Sequence, residues 1–390
     1  MKFVIIGLFS LLVLSGCQSE PLENNQGNEA IPEVIQTEEN GGNDDSQESG
    51  PIDTDMAESR TELNFLDFST EDWEVEVISD DLNYPWDIKI TDNTIVMTEI
   101  EGTIAIIQDG QLERYAVQTS DPVVHDGGSG LLGIELAEDF SESGIAYLYY
   151  SYSSGSGLSN KVVEVEYDGN SWLETNILVD GIPGHQLYNG GRIAIGPDGY
   201  LYVLTGWANV EEYAQDLNNL AGKVLRLNVD GSIPEDNSFA DSYVYSYGHR
   251  NPQGIAWNEE GALFISEHGP SARDEINVIE PGRNYGWPEV VGGEEMEGME
   301  MPLIHSGDDT WAPSGITFFE GHLFVTGLRG QSLYVYNAEA ASMDVVFTTN
   351  DRLRTVVPIE GDLYVITTNT SPRSSSTNYN DRLIRLSPRP

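Results

Sequence analysis

Short runs of apolar residues alternate with polar residues along most of this chain, and a turn sequence rich in Gly, Asp or Asn precedes most of them. Six such runs occupy residues 92–99, 143–152, 198–206, 260–269, 320–328 and 361–369. Each is followed by a second run, at residues 102–110, 160–169, 222–231, 274–282, 331–337 and 381–388. Alternation with a period of two residues, bounded by tight turns, predicts β-strands paired in hairpins.

These hairpins recur at intervals of about 40–60 residues, and no amphipathic helix of three turns interrupts them. Repeated short antiparallel strands are typical of a β-propeller, in which radial repetition leaves only short, protected sheet edges. A flat sandwich would not account for the repeated unit. The pattern therefore predicts an all-β domain, residues 63–390, folded as a six-bladed β-propeller of four-stranded antiparallel blades. We expect the functional site where loops meet at one end of its channel.

The first residues, MKFVIIGLFSLLVLSGC (1–17), predict an export signal. One lysine precedes an apolar stretch from Phe3 to Leu14, which is too short for a mature membrane span and is typical of a signal peptide. The letters LSGC resemble a bacterial lipobox, which implies cleavage before Cys17 and lipid attachment to its sulfur. The protein would then be exported and lipid-anchored to the outer face of the bacterial cell membrane. A plain secretory peptide is the alternative.

Residues 18–62 predict a disordered acidic tether. They contain 13 acidic residues, one arginine and no aromatic residue. Such a composition cannot bury enough apolar surface to offset the entropy lost on ordering. We expect this segment to hold the folded domain away from the membrane.

The whole chain has a formal charge of −47, because it contains 65 acidic residues and only 18 lysines and arginines. Nucleic-acid binding depends on basic side chains that neutralise phosphates, so this charge argues against nucleic acid as a partner. It also argues against an anionic lipid surface, which leaves the lipid on Cys17 as the expected membrane contact. We expect most acidic side chains to form a solvated surface.

Several of the few basic residues lie near predicted strand ends. The stretch YGHRNPQG places Arg250 and Asn251 in a loop before a strand, and Arg329 directly follows another strand. Arg352 and Arg354 are two residues apart and should lie on the same side of an extended segment. Guanidinium groups pair with carboxylates in a bidentate manner, so these arginines could bind an anion with several carboxylates. Ordinary surface salt bridges are the alternative.

The stretch SEHGPSARDEINVIEPGRNYGWP holds a second candidate site. Gly269 and Pro270 could present backbone carbonyl oxygens to a hard cation, and Asp274 and Glu275 follow closely. Carbonyl and carboxylate oxygens are the ligands that Ca²⁺ prefers, although the spacing of an EF-hand loop is missing. The sequence has no HExxH pair, P-loop, nucleophile elbow or dinucleotide-binding glycine motif.

Several longer blocks resemble one known family. In order, they are YPWDIKI, GGSGLLGIELAEDF, NGGRIAIGPDGYLYVLTG, AQDLNNLAGKVLRLNVDGSIPEDNSF, YGHRNPQGIAW, SEHGPSARDEINVIEPGRNYGWP, APSGITFF and DRLRTVV. Over about Asn83–Pro388 the chain resembles the soluble PQQ-dependent aldose sugar dehydrogenases, the glucose/sorbosone dehydrogenase family of six-bladed propellers. The resemblance implies that PQQ, an orthoquinone with three carboxylates, binds at one end of the channel with Ca²⁺ at its quinone edge. The matching cofactor-binding positions are Arg250, Asn251, Thr310, Arg329, Arg352 and Arg354, and the matching Ca²⁺-binding carbonyls are those of Gly269 and Pro270.

The catalytic pair of the family is replaced in this sequence. The resemblance implies a histidine, four residues before Arg192, as general base, and an aspartate after the next strand to orient it. Tyr188 and Trp207 occupy these positions. A phenol, with a reference pKa near ~10, is a poor base at neutral pH, and an indole can only donate a hydrogen bond. His185 is an alternative base, and a substrate-contacting polar position of the family matches Gly128.

The sequence thus predicts PQQ- and Ca²⁺-dependent oxidation of the C1 hydroxyl group of an aldose sugar, or another small carbohydrate, to a lactone outside the cell. Electrons would pass to a separate acceptor. The alternative is a degenerate family member that binds cofactor, glycan or partner without efficient oxidation, because base and acid are both replaced. A Ca²⁺-dependent lactone hydrolase is a third reading, but the carboxylate and asparagine cage for its metal is not evident.

Overall fold

The computed structural model describes residues 63–155, 157–374, 376 and 378–389. The predicted leader (1–17, with Cys17) and the predicted tether (18–62) lie outside these residues. By its internal contacts the chain divides between Arg60 and Thr61, and the described residues fall on the C-terminal side. No helix in this part of the chain has the length and apolar composition needed to cross a bilayer.

Tight turns reverse the chain between strands, as the Pro-Asp-Gly turn of residues 196–199 shows. Gly199 donates its N–H to the Gly196 carbonyl oxygen over 2.9 Å and has a φ of +79°, a left-handed conformation that glycine adopts without steric cost. Asp198 accepts a hydrogen bond from the Tyr202 hydroxyl at 2.9 Å. The turn is therefore tied to the strand that follows it.

The described residues form 24 β-strands and two short α-helices. The strands are β1 Trp73–Leu82, β2 Pro85–Thr91, β3 Thr94–Glu99, β4 Thr103–Gln108, β5 Gln111–Gln118, β6 Leu131–Leu136, β7 Ile145–Ser153, β8 Leu158–Tyr167, β9 Trp172–Pro183, β10 Gly190–Ile195, β11 Leu201–Thr205, β12 Lys223–Leu227, β13 Val244–Tyr247, β14 Pro252–Trp257, β15 Leu263–Glu267, β16 Glu275–Ile279, β17 Ile304–His305, β18 Pro313–Phe319, β19 His322–Gly327, β20 Ser332–Asn337, β21 Ser342–Thr348, β22 Leu353–Ile359, β23 Asp362–Thr367 and β24 Asp381–Pro388. The helices are α1 Phe140–Ser143 and α2 Glu211–Gln215, and 3₁₀ turns cover Phe65–Asp67 and Thr70–Asp72. The all-β prediction is therefore confirmed.

The strands form five sheets within the described part of the chain. Four sheets have four antiparallel strands each, in the orders β10-β11-β12-β13, β14-β15-β16-β17, β18-β19-β20-β21 and β1-β24-β23-β22. The fifth has eight strands, in the order β2-β3-β4-β5-β9-β8-β7-β6. It consists of two antiparallel runs of four strands, which are joined where β5 pairs in parallel with β9 over two residue pairs. Four-stranded antiparallel sheets are found as predicted, except that two strand runs share one sheet.

The first strands of the six antiparallel runs surround one axis. In the order β2, β6, β10, β14, β18 and β22 each contacts the next, and β22 contacts β2, which is the arrangement of a β-propeller. Glycines allow a close approach: a Cβ on Gly254 would lie 2.2 Å from the Ser314 carbonyl oxygen, and one on Gly315 would lie 2.7 Å from the Thr355 Cα. A side chain at either position would force neighbouring strands apart.

The twelve strands predicted from the apolar pattern are the second and third strands of the six runs. For example, residues 198–206 and 222–231 contain β11 and β12. The first strands do not follow the alternation because they are buried on both faces and carry polar side chains near the axis. In β10, every residue except the last is buried, and Arg192 is among them.

The N-terminal strand of the domain completes the sheet of its C-terminal strand, because β1 pairs antiparallel with β24. Trp73, at the start of β1, is 1% exposed, and its Nε1 donates to the Val346 carbonyl oxygen at 3.0 Å. Its ring lies 5.7 Å from that of Phe65 and 6.4 Å from that of Phe324. One aromatic side chain therefore links the first strand of the domain to the core of a neighbouring sheet.

We expect Trp73→Ala to lower the free energy of unfolding by about 3–5 kcal/mol, the usual effect of truncating a buried aromatic side chain. Val77→Ala is the matched control, because Val77 lies on the same strand but is 47% exposed. Its substitution should change stability by less than about 1 kcal/mol. Urea denaturation followed by circular dichroism measures both variants, and equal midpoints would contradict the role assigned to Trp73.

Candidate functional site

A cavity of about 620 Å³ opens at the end of the axis where the first strands begin. Each first strand, or the loop before it, supplies lining residues: Tyr84 and Trp86, Gly127 and Gly128, Leu187–Gly190, Arg250, Asn251 and Gln253, Thr310 and Ala312, and Arg352 and Arg354. Loops after second strands add His268–Ser271, Leu328, Arg329 and Ser371–Arg373. The cavity therefore lies at the place predicted for the site, at one end of the channel.

Arg250 is held in the loop before β14 by both its backbone and its side chain. Its backbone N–H donates to the Glu267 carboxylate. Its Nη1 donates to the carbonyl oxygens of His268 and Gly269 at 3.0 and 2.8 Å. Burial lowers the pKa of the Arg250 guanidinium, and the nearby charges of Glu267 and Asp274 offset this effect only in part.

Arg352 and Arg354, at the start of β22, both line the cavity, as their spacing predicts. Arg352 Nη1 donates to the Leu328 carbonyl oxygen at 3.2 Å, and Arg354 Nη1 donates to Gln253 Oε1 at 3.3 Å. Burial lowers the pKa of both guanidinium groups, that of Arg354 to about 10. Neutral acceptors thus orient two buried cations without neutralising them.

Asn251, Thr310 and Arg329 complete the set of cofactor-binding positions that the family resemblance implies. All three line the cavity. Asn251 Oδ1 accepts from the Gly190 N–H at 3.1 Å, which fixes the amide against the neighbouring first strand. Arg329 is exposed. The structure therefore brings all six predicted positions into one cavity.

The arginines of this cavity differ from the other arginines of the domain. Apart from Arg389, each described arginine outside the cavity lies within 4 Å of an acidic side chain, namely Arg114, Arg192, Arg226, Arg273, Arg283, Arg382 and Arg385. The arginines in the cavity lining have no such partner among the described residues, and these are Arg250, Arg329, Arg352, Arg354 and Arg373. The buried Nε atoms of Arg250, Arg352 and Arg354 lack an acceptor there, as do those of Arg382 and Arg385 outside the cavity. In a chain with 65 acidic residues, such a set indicates an anionic ligand.

Asp274 is the acidic residue in the described cavity lining, and the protein itself uses its oxygens. Oδ1 accepts from the Gly269 N–H at 3.0 Å. Oδ2 accepts from the Thr310 hydroxyl at 2.9 Å and from the N–H groups of Trp311 and Ala312 at 2.8 Å. Asp274 therefore joins two loops of the cavity and positions Thr310 and Gly269. Three donors already occupy Oδ2, whereas Oδ1 accepts one hydrogen bond and is the oxygen that could also contact a cation.

Gly269 and Pro270 line the cavity, so the predicted Ca²⁺-binding segment lies beside the arginines. Glu275 is outside this lining; it accepts from the Gly292 N–H at 2.7 Å, and burial raises its pKa to about 8. The described residues contain no group of three or more His, Cys, Asp or Glu side chains suited to a metal. A cation at Gly269 would therefore rely on backbone carbonyls and on oxygens of a bound ligand.

The two replaced catalytic positions have different environments. Tyr188 lines the cavity, whereas Trp207 is 8% exposed and packs against Ala214 and Trp287 outside the lining. The guanidinium carbon of Arg250 lies 4.9, 5.6 and 5.1 Å from the ring centroids of Tyr188, Trp207 and Trp287. Cation–π attraction from these rings stabilises Arg250. Aromatic side chains therefore occupy the corner where the family resemblance implies an acid–base pair.

His185 is not part of the cavity lining. Its ring stacks on Tyr188, with centroids 5.5 Å apart and an interplanar angle of 9°. Its Nδ1 accepts from the Leu187 N–H at 3.1 Å, and burial lowers its pKa. A molecule in the cavity would therefore contact Tyr188 rather than His185. Gly128 does line the cavity, and its N–H donates to the Gln186 carbonyl oxygen.

Sequence reasoning missed other polar residues near the axis. Arg192 pairs with Asp87 and donates from Nε to the Gln253 carbonyl oxygen at 2.9 Å. It served in the sequence only as a motif landmark, although an arginine within an apolar strand is itself a signal of a buried ion pair. Arg373 carried no signal, because its stretch SPRSSSTN has the composition of an ordinary surface loop.

The fold and the cavity define a β-propeller whose axial site is suited to an anion with several negative charges. The chain belongs to the glucose/sorbosone dehydrogenase family, whose sequence profile matches residues 82–375. The predicted family is therefore confirmed, and with it the general class of sugar oxidoreductase.

Three similar proteins have sugar dehydrogenase activity in their names. The aldose sugar dehydrogenase of Escherichia coli K12 is 31% identical over 81% of this chain and 93% of its own length. Quinoprotein glucose dehydrogenase B of Acinetobacter calcoaceticus is 34% identical over 61% of this chain and 57% of its own length. The PQQ-bound aldose sugar dehydrogenase of Streptomyces coelicolor has a similar structure, with a TM-score of 0.73 and 34% identity over 81% of this chain and 98% of that one.

Asp274→Ala should lower the free energy of unfolding by about 1–3 kcal/mol, because it leaves several partly buried donors without an acceptor. Asp308→Ala is the control, since Asp308 is exposed near the same loop and its loss should cost less than about 0.5 kcal/mol. Urea denaturation measures both. If Asp274→Ala unfolds at the wild-type urea concentration, the carboxylate does not organise these loops.

Proposed function

We propose that this protein binds PQQ and Ca²⁺ in the cavity and oxidises the C1 hydroxyl group of an aldose, or of another small carbohydrate, to a lactone. The main support is that Arg250, Arg329, Arg352 and Arg354 share the cavity without carboxylate partners in the described structure. A tricarboxylate would supply the missing acceptors, because charge-assisted guanidinium–carboxylate bonds are among the strongest hydrogen bonds in proteins. The similar structure from Streptomyces coelicolor is PQQ-bound, which supports the same ligand.

The protein side of this chemistry is binding and orientation. Bound PQQ would supply the hydride acceptor, and bound Ca²⁺ would supply a Lewis acid. Arg250 comes from the loop before β14 and Arg354 from β22, so the two could bind carboxylates at different edges of one flat ligand. Their buried Nε atoms remain available as donors. Asp274 would keep the Thr310 side chain in place beside them.

Ca²⁺ would bind at the carbonyl oxygens of Gly269 and Pro270 together with the anionic cofactor rather than before it. Arg250 already donates to the Gly269 oxygen at 2.8 Å, and its positive charge opposes a cation at the same atom. An anionic ligand between the two cations would replace this repulsion by attraction.

Tyr188 is the side chain placed to receive the proton from the sugar hydroxyl, because it lines the cavity at the position of the family's base. A tyrosine can accept that proton only in its phenolate form. Its neighbour is the buried indole of Trp207, which cannot orient a base as a carboxylate does. A well-placed general base contributes about 10²–10⁴-fold to a rate, so we expect slow oxidation. A second candidate function, binding of cofactor and sugar without efficient oxidation, is favoured by the same aromatic pair.

We also propose that the two runs of the eight-stranded sheet act as separate blades, which makes six blades in all. The pairing of β5 with β9 covers only two residue pairs, and β2 and β6 take separate places around the axis. The proposed location is outside the cell, with the lipid on Cys17 as anchor. There, a soluble or membrane-bound acceptor would receive the electrons.

Titration of the purified protein with PQQ in the presence of Ca²⁺ tests the cofactor assignment. We expect saturable binding with a change in the absorption spectrum of PQQ. Arg354→Ala should weaken binding about 10- to 100-fold, since a hydrogen bond to a charged group contributes about 1.5–3 kcal/mol. Arg283→Ala is the control, because Arg283 pairs with Glu280 and Glu300 away from the cavity. Absence of binding, or equal affinities of the two variants, would refute the assignment.

Dye reduction by the PQQ-loaded protein, measured with a panel of aldoses, tests the catalytic assignment. The double variant Tyr188→His, Trp207→Asp should raise turnover by up to about 10²–10⁴-fold, because it restores a base and its orienting acid. Each single variant should gain less, since such residues act as a unit. Thermal unfolding verifies that the double variant folds. Unchanged turnover in a folded, PQQ-binding double variant would contradict the roles given to these positions.

A further inference from the structure

We propose that the sugar oxidised or bound in this cavity is anionic, an aldose that carries a carboxylate or phosphate group, and that Arg373 binds its negative charge. This inference rests on the proposed function, because it requires the C1 end of the sugar to face the cofactor. The charged group at the other end of the sugar would then point toward the cavity rim.

Arg373 has a defined place in the loop between β23 and β24. Its backbone N–H donates to Ser371 Oγ at 3.4 Å, and the same Oγ accepts from the Tyr84 hydroxyl at 3.0 Å. The Tyr84 N–H in turn donates to the Asp381 carboxylate at 2.9 Å. These contacts tie the loop to the start of β2. The Arg373 side chain is exposed and lines the cavity, which places it at the rim.

The positive charge of the cavity exceeds what the proposed cofactor would neutralise. Five arginines line the cavity against one carboxylate, that of Asp274, in the described lining. PQQ carries three carboxylates, and Ca²⁺ would add two positive charges. A positive potential therefore remains after the cofactor binds, and it favours a second anion.

Arg373 lies close enough to the arginines of the proposed cofactor site for its charge to affect them. Burial lowers the pKa of Arg352, and the positive charges of Arg373 and Arg329 lower it further. Arg373 lies outside the set of positions that match cofactor-binding residues of the family, so it is available for the sugar. At the far corner, Tyr188 has the indole of Trp207 as neighbour rather than a carboxylate, which removes a source of repulsion for an anionic sugar.

The positive charge of this cavity contrasts with the strongly acidic composition of the whole chain. The chain carries a net charge of −47, and its surface should repel anions. An anionic sugar would therefore bind where arginines outnumber acidic side chains. Within the described residues, this cavity has such a lining, with five arginines and one acidic residue. A guanidinium–carboxylate contact at an exposed rim should favour the anionic sugar by about two- to fivefold.

Isothermal titration calorimetry tests the inference: the PQQ-loaded protein is titrated at low salt with glucuronate, with glucose 6-phosphate and with glucose, and the three dissociation constants are compared. We expect at least one anionic sugar to bind about two- to fivefold more tightly than glucose. The order of the two anions identifies carboxylate or phosphate as the preferred group. Arg373→Ala should remove the preference, and Arg373→Lys should retain most of it. Arg283→Ala, which removes an exposed arginine away from the cavity, should leave it unchanged.

Two results would overturn the inference. One is equal affinity of wild type for glucose and for both anionic sugars. The other is a loss of PQQ affinity in Arg373→Ala as large as that in Arg354→Ala, which would make Arg373 part of the cofactor site. We expect the PQQ affinity of Arg373→Ala to stay within about twofold of wild type. If wild type binds no PQQ, the proposed function fails, and the same sugar titrations on the apoprotein still decide whether Arg373 confers a preference for anions.

Discussion

Five guanidinium groups share one cavity without a carboxylate partner in the described structure, and their mutual repulsion is the constraint that the rest of the site must satisfy. Neutral hydrogen-bond acceptors and aromatic rings hold the guanidinium groups in place against this repulsion. Carbonyl oxygens hold Arg250 and Arg352, and an amide oxygen holds Arg354. The rings of Trp86 and Trp287 lie 5.4 and 5.1 Å from the guanidinium carbons of Arg354 and Arg250. These contacts orient the cations but leave their charge available to a ligand.

Another arginine near the same axis has a carboxylate partner. Arg192 is buried next to the cavity and pairs with Asp87, and its Nη2 also donates to the Thr355 hydroxyl at 3.1 Å. The charge of Arg192 is compensated within the protein by Asp87, whereas the unpaired arginines of the cavity keep their charge for a ligand. The aromatic corner at Tyr188 and Trp207 adds a further contrast. It supports Arg250 and therefore the anion-binding side of the site, while it lacks the acid that proton transfer would use.

Much of this architecture could be predicted from local patterns, because hairpins with one apolar face obey a two-residue period. Residues 320–328 and 331–337, for instance, were predicted as a strand pair and contain β19 and β20. First strands such as β10 do not show the two-residue alternation, since both of their faces are buried and Arg192 interrupts the apolar run. The short pairing of β5 with β9, which merges two strand runs into one sheet, depends on two residue pairs and leaves no trace in the pattern.

The sequence by itself determined the all-β repeat and the family, because these rest on local motifs and spacing. The six positions that converge on the cavity followed from the family resemblance that those motifs carry. Tertiary structure alone decided three things. Asp274 accepts hydrogen bonds from Gly269, Thr310 and neighbouring N–H groups. Trp207 is buried beside the cavity rather than in its lining, and Arg373 lines the cavity together with the other four arginines. The physical reason is common to all three. Whether a polar side chain is free for a ligand depends on partners distant in sequence, and only the closed ring of strands brings those partners within hydrogen-bonding distance.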